Sequence, residues 1–310
     1  MKILVTGGTG LVGKAIQKIS KNYPYVFLFL SSKDCDLTDY SSTYKLFNKE
    51  KPDIVIHLAA CVGGLFKNMN DPVNMLEKNL LINLNVLKCS HEMNVKKVVS
   101  CLSTCIFPDK TSYPINEKML HNGPPHNSNY AYAYAKRILE IQSRTYREQY
   151  NKNFICIIPT NIYGPYDNFS LKDAHVIPAL IHRCYISKKY NNKFIVKGTG
   201  KPLRQFIYSE DLAELILWTV EKYTKQDNLI LSVNTYDEKS IRYIAETIAK
   251  NFNYKHMIEF NSFFSDGQFK KTANNSKFKK LYGDYKFTSI EDGIEKTVKW
   301  FCNNMKTCRI

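Results

Sequence analysis

Apolar, strand-like runs alternating with amphipathic stretches constrain this chain more than any other feature. The runs are KILVTG (2–7), YVFLFL (25–30), DIVIHLAA (53–60), KVVSCLS (97–103) and NFICIIP (153–159), with helix-patterned stretches near 12–22, 40–49, 72–94 and 130–150. A strand, a crossover helix and a parallel strand pack together in the right-handed sense, so repeated units build a parallel sheet covered on both faces. The expected architecture is therefore a doubly wound α/β fold. At 310 residues the chain has room for such a domain and a smaller lobe.

After Pro165 the alternation loosens. Residues 175–190 and 241–252 read as helices, 194–198 as a short strand, and 229–234 as a strand returning to the main sheet. The stretch 209–223 reads as a helix with Ser209 as its N-cap and acidic residues in its first turn. The expected division is a dinucleotide-binding domain of residues 1–165, to which 205–235 return, and a substrate lobe of 166–204 and 236–310.

TGGTGLVG (6–13) stands between the first strand and the first helix. Gly8, Gly10 and Gly13 satisfy G-x-G-x-x-G, and Gly7, Gly10 and Gly13 satisfy G-x-x-G-x-x-G. Here glycines allow a tight turn and bring backbone N–H groups to a pyrophosphate at the helix N-terminus. Gly7, Gly8, Thr9, Gly10, Leu11, Val12 and Gly13 are the expected cradle of a dinucleotide. The second strand ends in FLFLSSKD, where Ser31, Ser32 and Lys33 suit a 2′-phosphate by hydrogen bonding and charge. Asp34 and Asp36 follow and pull toward a free ribose, so NADP is favoured over NAD by the nearer groups.

A net charge of +16 raises nucleic acid as a partner. Its lysines, however, are scattered through most segments rather than gathered on a stripe, and no nucleic-acid-binding motif accompanies them. Nucleic acid is not the expected partner. The nine cysteines (35, 61, 89, 101, 105, 156, 184, 302 and 308) include no C-x-x-C pair, and several lie inside apolar runs. They read as reduced thiols, with neither a disulfide framework nor a metal site. No run matches the ~18–20 apolar residues of a membrane span, and MKILV leads straight into glycines without a signal-peptide core. The expected location is the cytosol.

YAYAYAKR (130–137) places Tyr132 and Lys136 on one helical face, where the lysine cation favours the phenolate. Ser103, at the end of a strand, completes a donor set for a ketone oxygen. Glycine loop, Ser103, Tyr132 and Lys136 together resemble the extended short-chain dehydrogenases/reductases. STCIFPDK, NGPPHNSNYAYAYAKR, IPTNIYGPYDNF, HVIPALIHR, GTGKPLRQFIYSEDLA and SDGQFKKTANNSK narrow the resemblance to the GDP-L-fucose synthase family, across nearly the whole chain.

That resemblance implies an NADPH-dependent, two-step conversion of GDP-4-keto-6-deoxy-D-mannose to GDP-L-fucose: epimerisation at C3 and C5, then reduction at C4. It implies that Ser103, Tyr132 and Lys136 bind and protonate the C4 oxygen, and that Cys105 and His175 form the acid–base pair, with Cys105 as a thiolate. Pro159, Thr160, Asn161 and Ile162 would line the nicotinamide side, and Lys136 and His175 would also approach the cofactor. Arg183 and Arg204 would hold the diphosphate and Asp266 a polar edge of the nucleoside or sugar, with AACVGG (59–64) beside the sugar. Lys197 occupies a position where the resemblance implies a stacking tryptophan, so a π face is missing there. A homodimer through helices 72–94 and 130–150 is also implied. Two other readings stay open: a redox-neutral sugar-nucleotide epimerase with retained NAD, and a non-catalytic dinucleotide sensor.

Overall fold

The computed structural model describes residues 1–264 and 266–310. The first half follows the alternation: β1 (Lys2–Thr6), α1 (Leu11–Ile19), β2 (Val26–Phe29), α2 (Tyr40–Glu50), β3 (Ile54–His57), a short α3 (Leu65–Asn70), α4 (Pro72–Glu92), β4 (Lys97–Cys101), α5 (Tyr130–Tyr150) and β5 (Phe154–Pro159). Next come β6 (Asn161–Tyr163), α6 (Val176–Lys189), β7 (Phe194–Lys197), β8 (Leu203–Arg204), β9 (Phe206–Tyr208), α7 (Ser209–Lys222) and β10 (Leu229–Leu231). The main sheet has the order β2–β1–β3–β4–β5–β10 and is parallel throughout.

Successive strand residues point to opposite faces, and that alternation sorts the core into two layers. Ile3, Val5, Ile54, Ile56, Val99, Ile155 and Ile157 pack with α1 and α7. Leu4, Val55, Val98, Cys156 and Ile158 pack with α2, α4 and α5. Lys97 starts β4 yet is 8 % exposed. Its ammonium donates to the carbonyls of Thr219, Val220 and Tyr223 at 2.7–2.9 Å, closing the C-terminal end of α7, and burial lowers it to about 8.

The remaining elements are β11 (Lys239–Ser240), α8 (Ile241–Asn251), β12 (Ile258–Asn261), α9 (Ser276–Tyr282) and α10 (Ile290–Asn304). A third core of Phe169, Ile177, Phe194, Phe206, Ile244 and Phe301 joins α6, α8 and α10 to β7 and β9. Strand β12 pairs in parallel with β7, and β6 with β9. Within 236–310, Ala273, Phe278, Tyr285 and Phe287 pack on the main-sheet clusters instead. Beside the third core, Asp167 is buried, with Oδ2 unpartnered and Oδ1 accepting only the Asn168 N–H at 2.7 Å. Burial raises its carboxyl to about 7, against smaller opposing effects from the Asn168 N–H and then Arg309.

One local expectation is corrected. Strand β9 runs straight into α7, so Tyr208 holds the cap position and Ser209 is already helical. The Ser209 hydroxyl is buried without a partner beside Gly164, where an added Cβ would lie 2.2 Å from Oγ. Glu210 and Asp211 do occupy the first turn, as expected.

Candidate active site

Chain order reverses between β1 and β3, since β2 lies on one side of β1 and β3 on the other. The loops leaving these two strands must diverge, and a crevice opens at their carboxyl ends. Gly7 has φ +68°, and its carbonyl accepts the Gly10 N–H at 3.0 Å. The Gly8 N–H donates to Leu30 at 2.7 Å, tying the loop to the end of β2. A Cβ on Gly13 would lie 2.5 Å from both the Gly7 and Gly8 carbonyl oxygens. Helix α1 starts at once, with no acidic residue in its first turn. This close-packed turn at a helix N-terminus fits a dinucleotide diphosphate. At the β2 end, Asp34 accepts both the Ser31 hydroxyl at 2.6 Å and the Ser31 N–H at 2.7 Å. Ser32 and Lys33 stay exposed there, with Ser31 already engaged by Asp34.

Beyond β4 the chain forms one tight turn, Thr104–Ile106, capped by Ser103, whose Oγ accepts the Cys105 N–H at 3.4 Å. On α5, Lys136 is 2 % exposed and donates to the Cys101 carbonyl at 2.8 Å; its Nζ lies 5.9 Å from the Tyr132 ring centroid. Solvent still reaches Ser103, Cys105 and Tyr132, yet protein crowds them enough that desolvation dominates. Burial raises Tyr132 well above its ordinary range, reinforced by Cys105, Cys101 and Cys61, and lowers Lys136. The expected thiolate is corrected: burial raises Cys105, opposed first by Lys271, then by the Ser103 hydroxyl and Lys136. His175, at the N-cap of α6, makes no side-chain hydrogen bond there and is lowered by desolvation although water reaches it. The resting pair is therefore a protonated thiol and a neutral imidazole.

Loop 59–64 connects these groups. The Gly64 N–H donates to Asp173 at 2.8 Å, and a Cβ on Gly64 would meet the Ala174 carbonyl at 2.5 Å, next to His175. At the other end of this loop, Cys61 is among the groups that raise Tyr132, while Asn79 clamps its backbone N–H and C=O at 3.0 Å each. Thr160 and Pro159 are buried at the end of β5, and Asn161 donates to the Gln205 carbonyl at 2.9 Å, leaving Ile162 half-buried alongside.

The expected diphosphate and sugar ligands divide differently. Arg183 donates to the Ile195 carbonyl at 3.3 Å and stays half-exposed. Arg204 donates to the carbonyls of Leu203, Gln268 and Phe269 at 2.5–3.2 Å, so its guanidinium also holds the 268–269 segment. Asp266 accepts the Thr199 N–H and hydroxyl at 2.7 Å each and braces the Gly198–Gly200 turn. Lys197 lies 4.9 Å from the Phe66 ring centroid and 4.6 Å from that of Phe264. Two aromatic rings thus flank the Lys197 ammonium, brought from α3 and from the segment after β12.

With this geometry in hand, the profile of the NAD dependent epimerase/dehydratase family matches residues 3–233. A GDP-L-fucose synthase of Dictyostelium discoideum is 52% identical over 99% of this chain and 97% of its own length. The chain belongs to the GDP-L-fucose synthase branch of that family. A probable GDP-L-fucose synthase of Drosophila melanogaster is 49% identical over 99% of both chains. A crystal structure of a GDP-L-fucose synthetase from Naegleria fowleri bound to NADP superposes with a TM-score of 0.95 at 47% identity, covering 100% of this chain and 95% of the other.

Two features of this GDP-L-fucose synthase relative escape a reading by motif. Lys271 shares the stretch SDGQFKK with Lys270, and only the fold separates them. Ile115 bonds Thr272 and Asn274 through its N–H and C=O, which turns Lys271 toward Cys105 and leaves Lys270 beside Glu238 and Tyr113. Burial lowers Lys271 to about 8. The second is a buried chain behind the site. Thr6 Oγ1 accepts the Leu58 and Ala59 N–H groups at 3.1 Å each, so its own proton goes to His57 Nδ1 at 2.8 Å. His57 Nε2–H then donates to Asn83 Oδ1 at 3.0 Å, and the Asn83 amide donates to the Ala135 carbonyl at 3.5 Å. Burial, with the charge of Lys136, lowers His57 to about 3, so the ring is neutral.

Proposed function

We propose that this protein converts GDP-4-keto-6-deoxy-D-mannose to GDP-L-fucose, epimerising C3 and C5 and then reducing the C4 ketone. The observation that carries this reading is a thiol, Cys105, two residues after Ser103 and on the same turn, beside the Tyr132–Lys136 pair. A simple reductase or a redox-neutral epimerase needs Ser103, Tyr132 and Lys136 but has no use for the added acid–base group. A sensor needs none of them. The relatives named GDP-L-fucose synthase support the same substrate.

Protons at C3 and C5 are acidic because both carbons flank the C4 carbonyl. One member of the Cys105–His175 pair removes the proton, the electron pair moves onto the C4 oxygen, and the Ser103 and Tyr132 hydroxyls stabilise the enolate. The other member returns a proton to the opposite face, inverting the centre. In the second step Tyr132 gives its phenolic proton to the C4 oxygen, while Lys136 stabilises the phenolate left behind. The cofactor is NADP, which when reduced and bound supplies the hydride for C4. Gly7 to Gly13 would hold its diphosphate, Ser32 and Lys33 its 2′-phosphate, and Pro159 to Ile162 its nicotinamide side. Arg183, Arg204, Lys197 and Asp266 would contact the nucleotide sugar.

A homodimer in the cytosol completes the proposal. Val73, Leu81 and Leu84 on α4 and Tyr134, Ile138 and Ile141 on α5 are exposed on contiguous helical faces, and α4 packs along α5, so two copies would form a four-helix bundle. Sedimentation at micromolar concentration should give twice the 36.0 kDa chain mass; a monomer alone would reject the dimer. For the function, incubation with GDP-4-keto-6-deoxy-D-mannose and NADPH should yield GDP-L-fucose by NMR. Cofactor turnover without net NADPH oxidation would favour the redox-neutral epimerase instead.

A further inference from the structure

Arg137 follows Lys136 on α5 and is 7 % exposed. Its Nε–H donates to the Ile106 carbonyl at 2.6 Å, its guanidinium carbon lies 5.6 Å from the Tyr134 ring centroid, and its Nη2 is buried without a partner. Burying a guanidinium that no carboxylate neutralises is costly. Tyr134 and Cys105 are the ionisable groups that act on it. Among the described residues its side-chain hydrogen bond goes to the residue that follows Cys105.

The turn that carries Cys105 is weakly held from within. Cys105 N–H reaches Ser103 Oγ at 3.4 Å, Ile106 N–H reaches the Ser103 carbonyl at 3.2 Å, and Phe107 N–H reaches the Thr104 carbonyl at 3.4 Å. All three are at the long end of hydrogen-bond distances, whereas the Arg137 bond is short and charge-assisted. We propose that Arg137 is the positioning residue for Cys105, clamping the Thr104–Ile106 turn to α5 so that the thiol and Tyr132 address the same sugar. The inference rests on the function proposed above. It makes Arg137 serve epimerisation more than reduction, because Tyr132 and Lys136 are placed by α5 itself and by the Cys101 carbonyl, and Ser103 directly follows Leu102, whose N–H donates to the Ile157 carbonyl at 2.8 Å.

The test is the product ratio from GDP-4-keto-6-deoxy-D-mannose and NADPH: GDP-L-fucose against the GDP-6-deoxyhexose with unaltered C3 and C5. The ratio is internal to each sample, so it is independent of how much enzyme is folded. Arg137→Met should lower it about tenfold or more while leaving NADPH affinity within about twofold. Arg137→Lys, which keeps a cationic donor of different reach, should recover part of the ratio. A uniform loss of rate at unchanged ratio would mean a general structural role and overturn the proposal, as would wild-type behaviour. Should Arg137→Met fail to fold, Arg137→Lys decides by the same ratio: a shift supports the clamp and an unchanged ratio rejects it. A wild-type protein that makes no GDP-L-fucose removes the functional reading itself, and the clamp with it.

Discussion

The cofactor side and the substrate side of this site are built by opposite means. Residues 6–13 form a cradle from one continuous stretch, shaped by backbone and by the absence of side chains. The proposed substrate side draws Ser103 and Cys105, Tyr132, His175, Lys197 and Lys271 from separate segments, and depends on how those segments pack. A backbone cradle fails through crowding, whereas a side-chain assembly fails through loss or displacement of one group. The two regions should therefore respond to mutation in separable ways.

The largest expected effect lies on the substrate side. Cys105→Ser keeps the size of the side chain but replaces the thiol with a far less acidic hydroxyl, so deuterium incorporation at C3 and C5 from D₂O should fall about a hundredfold or more. NADPH binding should persist. Wild-type exchange in that variant would return Cys105 to a packing role and erase the contrast. On the cofactor side, Gly13→Ala drives a methyl group into two carbonyl oxygens at 2.5 Å. We expect a stability loss of about 1–3 kcal/mol and NADPH affinity reduced about tenfold or more, by chemical denaturation and fluorescence titration. Whatever turnover remains should keep the wild-type product ratio; a ratio that moved would show that the two regions are not separable.

The smallest effect concerns Asp167, at the base of the second lobe. Its carboxyl is raised to about 7 in the folded protein, against ~3.9 for an unfolded chain. The native state thus binds the proton more tightly. The stabilisation is full below about pH 4 and is lost as pH rises through about 7. Urea unfolding should show stability declining between about pH 4 and 7 and levelling off above, and Asp167→Asn should flatten that decline, gaining about 1 kcal/mol at the upper end. An equal slope in both proteins would remove Asp167 as its source.

The same contrast governs how much could be read from the sequence. Glycines at fixed spacing between a strand and a helix carry their three-dimensional meaning locally, and so do Tyr132 and Lys136 four residues apart. The first five sheet strands were legible because a strand buried on both faces must be apolar along its length. Lys271 was not legible, since nothing local distinguishes it from Lys270; the pairing of Ile115 with Thr272 and Asn274 decides which one faces Cys105. The surroundings of Lys197 were illegible for the same reason. Its aromatic neighbours Phe66 and Phe264 belong to other segments, so neither contact could be read from the residues around it. Ser209 failed as a cap because β9 has no loop after it. The cap preference of serine was overridden by tertiary contact with Gly164.

The chain from Thr6 through His57 and Asn83 has a polarity, and the polarity has a cost for proton traffic. It begins at two amide N–H groups and ends on an amide carbonyl, neither of which gives up or takes a proton near neutral pH. To carry a proton along it, Thr6, His57 and Asn83 would all have to reverse their donor and acceptor roles, and the flanking amides supply no replacement. It behaves as an insulator behind the reacting groups. In the proposed mechanism the protons that Tyr132 gives up are therefore not resupplied along this chain, and water reaches the phenol from the open side of the cleft.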